Sequence, residues 1–295
     1  MRRWRPLRAL GRGLLAVGLS VAVLAGAVAA VGATLERLRP GPEPEHRCFA
    51  ELDGTRWSLS PEQAQNAALF AAMAAERDLP ARAVTIAIAT ALQESRMINI
   101  DYGDRDSVGL FQQRPSQGWG TVEEIMDPVY STGRFYAGLV KVPGYTELEV
   151  TVAAQAVQRS GFPDAYAQHE TRARAWASAL TGQSAGTMTC ELRASLPAGD
   201  VAGLVARAAR DLPSAQAVPD AAARVVALAG GDLPEAGTAQ RGWALASWAV
   251  AQAAEHQVVA VHVADQRWDR ADGAWHQVEN SAAQAPGQVL VRLAE

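Results

Sequence analysis

Ala81-Arg82-Ala83-Val84-Thr85-Ile86-Ala87-Ile88-Ala89-Thr90-Ala91-Leu92-Gln93-Glu94-Ser95 is apolar nearly all round as far as Leu92, and fourteen residues beyond Ser95 comes Gly109-Leu110-Phe111-Gln112. A run that is apolar on every side reads as a helix buried inside a domain. It is too short to span a bilayer, which takes about 20 apolar residues. Glu94 then stands at the C-terminal end of that helix. The helix dipole disfavours a negative charge there by about 0.3–1 kcal/mol, and apolar burial acts in the same direction more strongly. A carboxyl group held in this way suits general-acid work. One turn back, Ala87, Thr90 and Ala91 are small, which predicts room for a ligand beside Glu94.

Outward from this helix the punctuation is helical. Ser60-Pro61-Glu62-Gln63 supplies an N-cap, a proline at the first helical position and a capping amide at the third, predicting a helix to about Arg77, after which Pro80 restarts the chain. Thr121-Val122-Glu123-Glu124 and Thr146-Glu147-Leu148-Glu149 repeat the capping pattern, and the second is expected to open a helix to about Arg159. Asp127-Pro128 marks a break between them. A further helix is expected from Pro163 to Thr181, with Gly182 as its C-cap. Residues 48–190 therefore read as a mainly α domain with no strand expected. The polar stretch from Asn99 to Gly120 is long for a loop in a compact domain, a length that usually accompanies function.

Glu94-Ser95 with the Gly109–Gln112 turn resembles the lysozyme-like superfamily, specifically the soluble lytic transglycosylases and goose-type lysozymes. There a Glu-Ser pair ends a helix and a Gly-Leu-Met-Gln-like turn lines the sugar cleft. The longer string from Asp101 to Trp119, DYGDRDSVGLFQQRPSQGW, is similar to a subgroup of actinobacterial cell-envelope proteins. The resemblance implies peptidoglycan glycan strands as substrate and cleavage of the MurNAc–GlcNAc β-1,4 bond, by a lytic transglycosylase or a muramidase. It implies Glu94 as acid and base, Ser95 in support, and Ser107 and Gln112 lining the cleft. These relatives usually carry Ala-x-x-Tyr-Asn on a later helix. The corresponding stretch here is Ala153-Ala154-Gln155-Ala156-Val157-Gln158-Arg159-Ser160, where Gln155 and Gln158 are the available amides. That departure keeps open a second class of function, a non-catalytic wall-binding or envelope-assembly protein with a degenerate cleft.

Other residues could serve such a cleft. Trp119, Tyr130 and Tyr136 offer aromatic faces for sugar rings, core packing being the alternative for each. Asp101, Asp104 and Asp106 are the candidates for a second carboxylate. A retaining hydrolase would need it about 5–5.5 Å from the acid and an inverting one about 6.5–9.5 Å. A transglycosylase needs none, since the resemblance implies attack by the substrate's own 6-hydroxyl.

The whole chain bounds the class. Its net charge is −4, and residues 1–39 hold seven Arg against one Glu, so everything beyond them is acidic. No basic face for nucleic acid is left. The basic tail 1–13 precedes 22 uncharged residues from Leu14 to Leu35, which read as a transmembrane anchor or, alternatively, a cleaved signal peptide. Either exports the rest of the chain, with the positive-inside rule placing it on the far side of the cell membrane. Residues 36–47 form a Pro-rich linker. The only two cysteines, Cys48 and Cys190, bracket the helical domain, and in an oxidising compartment they are expected to be bonded. The five histidines form no metal-binding pattern, and no cofactor or metal is expected.

After Cys190 the texture changes. Ala198–Leu212 and Gly237–Glu255 read as helices, Val258–Val263 and Gln288–Leu293 as strands, and Gln266–Val278 as a hairpin turning at Asp272-Gly273. Residues 191–295 thus read as a small α+β module of unknown role.

Overall fold

The computed structural model describes residues 46–192, 197–230, 235–279 and 283–295. The chain opens with two strands, β1 (Arg47–Leu52) and β2 (Thr55–Leu59), followed by helices α1 (Pro61–Ala75) and α2 (Ala81–Ser95). After the long loop come α3 (Val122–Met126), α4 (Pro128–Leu139), α5 (Val150–Gln158), α6 (Glu170–Leu180) and strand β3 (Met188–Glu191). The remainder is α7 (Val201–Asp211), β4 (Ala215–Asp220), β5 (Val225–Gly230), α8 (Glu235–Ala251), α9 (Ala253–His256), β6 (Val258–Val263), β7 (Gln266–Asp269), β8 (Ala274–Gln277) and β9 (Gln288–Leu293).

The expectation of a mainly α domain behind a transmembrane helix is corrected. The described residues carry two antiparallel sheets, one of three strands in the order β2-β1-β3 and one of six in the order β4-β5-β9-β6-β7-β8. The β1–β2 hairpin turns on Asp53 and Gly54, both with positive φ, at 51° and 73°. That is the left-handed pair a two-residue hairpin needs. β3 returns from far along the chain to pair with β1, setting Cys48 directly opposite Cys190, and the two are joined as a disulfide. Among the described residues no helix is long and apolar enough to cross a membrane. The expected anchor at Leu14–Leu35, the tail before it and the linker up to Glu45 lie outside the described residues.

The helical signals hold where a cap fixes them. Ser60 and Gln63 close a reciprocal capping box on α1, and Thr121 and Glu124 do the same on α3. Asp127, expected as a break, caps α4 instead through the backbone N–H of Val129. The helix expected from Thr146 begins only at Val150, because Gly144 takes a left-handed φ of 68° and the N–H groups of Glu147 and Leu148 fold back onto its carbonyl.

α2 is buried from Ala83 to Leu92 and packs against α1, α5 and α6. Each of Val84, Ile86, Ile88 and Leu92 contributes on the order of 1.5–3 kcal/mol by leaving water. α8 contacts both α1 and α6 on one side and β5, β6 and β9 on the other, so one hydrophobic cluster runs from Cys48 to Leu293. Residues 46–295 form one compact unit.

Candidate active site

The site begins with how α2 ends. Arg96 and Met97 both adopt left-handed backbone, with φ of 55° and 59°. Such conformations are uncommon for residues with a Cβ and persist only where the surroundings hold them. Here Met97 donates its N–H to the Ala91 carbonyl at 2.8 Å, Gln63 binds the Arg96 carbonyl at 2.7 Å, and Asn66 binds the Met97 carbonyl at 3.0 Å. The helix is thus stopped one residue past Ser95, and Glu94 is left at the rim, half-buried.

The carboxylate of Glu94 is clamped on one side. Oε1 accepts from the Tyr166 hydroxyl at 2.6 Å and from Gln158 Nε2 at 3.1 Å. Oε2 takes no hydrogen bond from the described residues. The apolar shell expected around Glu94 is therefore a polar clamp on one oxygen. Gln158 Nε2 also donates to the Phe111 carbonyl at 2.7 Å, which ties the end of α5 to the turn after α2. Burial pushes the Tyr166 phenol well above its ordinary range, and its bond to Glu94 adds to that shift, so it stays a donor.

Ser95 supports this arrangement from below. It is buried, and its hydroxyl donates to the Leu110 carbonyl at 2.7 Å. The turn itself needs Gly109, whose φ is 79° and whose added Cβ would lie 2.9 Å from the Ile125 carbonyl oxygen. Gln112, also left-handed at φ 46°, sends its amide to the carbonyls of Tyr102 and Gly109 at 3.2 and 3.3 Å. Its side chain props the long loop at Tyr102.

The remaining candidates separate. Gln158 reaches Glu94, whereas Gln155 exchanges hydrogen bonds with Ser160. Ser107 is buried and staples its own loop through the Asp104 carbonyl. Tyr136 is fully buried with its hydroxyl on the Phe70 carbonyl, a core residue. Tyr130 is half-buried and holds the Trp119 carbonyl at 3.1 Å, while Trp119 packs partly on the core. Asp106 spends both oxygens on Ser116 N–H and Arg114, which hold its carboxyl far below the usual range, Ser116 most strongly. Asp101 is exposed, and Asp104 is exposed beside Arg105. Ala87, Thr90 and Ala91 are fully buried, so the room expected from their small size is taken up by core packing.

Tyr166 was not legible in the sequence as a site residue. It lies 72 positions from Glu94, in the turn before a short 3₁₀ segment, and its one signal is that it follows the amide-bearing stretch of α5 by eight residues. Among the described residues no group of three or more His, Cys, Asp or Glu could hold a metal ion. No protein-family model matches the chain, and no curated protein matches it significantly.

Proposed function

We propose that this protein cleaves the β-1,4 bond between MurNAc and GlcNAc in peptidoglycan glycan strands, with Glu94 as its one acid and base. The observation that carries this reading is the asymmetry of the Glu94 carboxylate, one oxygen clamped by Tyr166 and Gln158 and the other free of protein donors among the described residues. A clamped carboxyl group fixes the direction of the proton on its free oxygen, which is what positioned proton transfer requires. Glu94 protonates the glycosidic oxygen as the C1–O bond breaks, and positive charge develops on the sugar ring. As carboxylate it then removes a proton from the group that attacks C1.

The attacking group is the 6-hydroxyl of the same MurNAc, giving a 1,6-anhydro end. Commitment of Asp106 to Arg114 and Ser116 favours this over a second protein carboxylate. The Cys48–Cys190 disulfide fits action outside the reducing cytoplasm. Mass spectrometry of fragments released from purified peptidoglycan tests the reading: anhydro ends support it, reducing ends replace the 6-hydroxyl by water, and release of no fragments removes it in favour of a wall-binding protein.

A further inference from the structure

Among the described residues only two Phe, Tyr or Trp side chains are exposed, Phe162 at 77 % and Tyr102 at 70 %. A lone exposed ring means little. What singles these out is where they stand. Phe162 lies four residues beyond Gln158, which touches Glu94, and Tyr102 lies on the stretch of loop bonded by Gln112, the neighbour of Phe111 whose carbonyl Gln158 also binds. Every other described Phe, Tyr or Trp side chain is at least partly buried, so the two exceptions both fall on segments joined to the clamp, one along the chain from Gln158 and one through Gln112 beside Phe111.

Both rings are also held from behind. The N–H of Phe162 donates to the Ser160 hydroxyl at 3.2 Å, that hydroxyl donates to Gln155 at 2.9 Å, and Thr151 binds the carbonyl of the following Pro163. On the other loop, Gly103 packs against the Gln112 amide and so close to the Ser107 backbone that an added Cβ would lie 2.7 Å from the Ser107 carbonyl oxygen. The backbones that carry the rings are thereby fixed before any ligand arrives, which reduces the ordering cost of binding.

We infer that Phe162 and Tyr102 are stacking platforms for the pyranose rings of a glycan strand, which they hold in register over Glu94. A pyranose presents a face of C–H groups that lies flat on an aromatic ring and removes apolar area from water while its hydroxyls stay wet. This inference rests on the glycan-cleaving reading above and adds the groups that grip the polymer.

The test uses peptide-free glycan strands and the Glu94→Gln protein, so that binding is read without turnover. Phe162→Ala and Tyr102→Ala should each weaken binding about 2- to 10-fold, as expected for a single aromatic contact. Phe162→Trp and Tyr102→Phe should keep it, since a flat face is retained. Melting temperatures should be unchanged in all four, because these side chains stand mostly in solvent. In the active protein the alanine variants should raise KM and leave kcat in place. Affinity within twofold of the parent for both alanine variants overturns the platforms while leaving the cleavage reading intact. No strand binding by Glu94→Gln, together with no fragments from the active protein, overturns that reading and the platforms with it.

Discussion

Glu94 and Asp211 are both acids at the C-terminal ends of helices, α2 and α7, where the dipole opposes their charge. Their surroundings differ in kind. Asp211 is 1 % exposed and has both oxygens occupied, Oδ2 by Arg207 at 2.7 Å and Trp248 Nε1 at 3.1 Å, Oδ1 by Arg210 at 2.8 Å. Both of its oxygens are paired with guanidinium groups, and through Trp248 it joins α7 to α8. Glu94 is held by two neutral donors on a single oxygen, with the other left over. Burial of a carboxylate does not by itself mark a site. An oxygen left without a protein donor does.

The sharpest way to break this comparison is to replace both acids. Glu94→Gln should lower fragment release from peptidoglycan by about 10²- to 10⁴-fold, since the amide keeps the shape but can neither give the proton nor take it back. Its melting temperature should stay close to the parent's. Asp211→Ala should do the reverse. Removing one partner of a buried ion pair leaves uncompensated charge and costs about 3–5 kcal/mol. Thermal melting should fall by roughly 6–20 °C at the 2–4 °C per kcal/mol expected for this size. Activity per folded molecule at low temperature should be unchanged. A variant of Asp211 that melts normally but loses turnover would invert the two roles.

The two halves also differ in how far their sequence could be read. β6 and β9 fall on the residues expected, Val258–Val263 and Gln288–Leu293, because β-branched runs bounded by polar residues are unambiguous. Strands β1 and β2 were missed although Asp53-Gly54 is a hairpin signal, since short strands interrupted by Ala50 and Ser58 show weak alternation. β4 and β5 hid behind alanines at 215, 217, 227 and 229 and behind Pro219, a residue that argues against a strand except at an edge, and β4 is an edge strand. At the site, the helix end and the Gly109 turn were local and therefore legible. Of the clamp, Gln158 was a candidate through the resemblance and Tyr166 was not, because the two stand 64 and 72 positions from Glu94 and only the tertiary fold brings them onto one oxygen.

The disulfide sharpens the contrast from the stability side. It closes a loop of 142 residues and sits on the three-stranded sheet. Replacing Cys48 and Cys190 together by alanine should cost about 2–5 kcal/mol and leave kcat alone. Non-reducing peptide mapping that finds both thiols free would remove the premise. Tyr166→Phe tests the clamp. It deletes one hydrogen bond to a carboxylate, a contact worth about 1.5–3 kcal/mol. A positioning role predicts a fall of about tenfold or more in kcat with KM unchanged, and loss only of thermal stability would make Tyr166 structural.

The smallest expected effect concerns acid, and again the two acids' neighbourhoods part. His256, under α7, is buried, and burial pulls its pKa below the ordinary 6.5 despite the opposing pull of Glu255, Asp200 and Asp211. Arg207 opposes its protonation as well. Its Nε2 has no partner among the described residues, so nothing rewards the added proton there. Because the folded pKa is depressed, the unfolded chain binds the proton first. Stability then rises with pH across that interval and is lost as pH falls below about 6.5. His169 and His262, also lowered mainly by burial, act with the same sign. Melting temperature should therefore decline from pH 7.5 to 5, and His256→Gln should flatten part of that slope while leaving the neutral-pH value nearly unchanged. Parallel slopes for parent and variant would show that His256 titrates alike in the folded and unfolded chain, and would shift the acid sensitivity to the remaining two histidines.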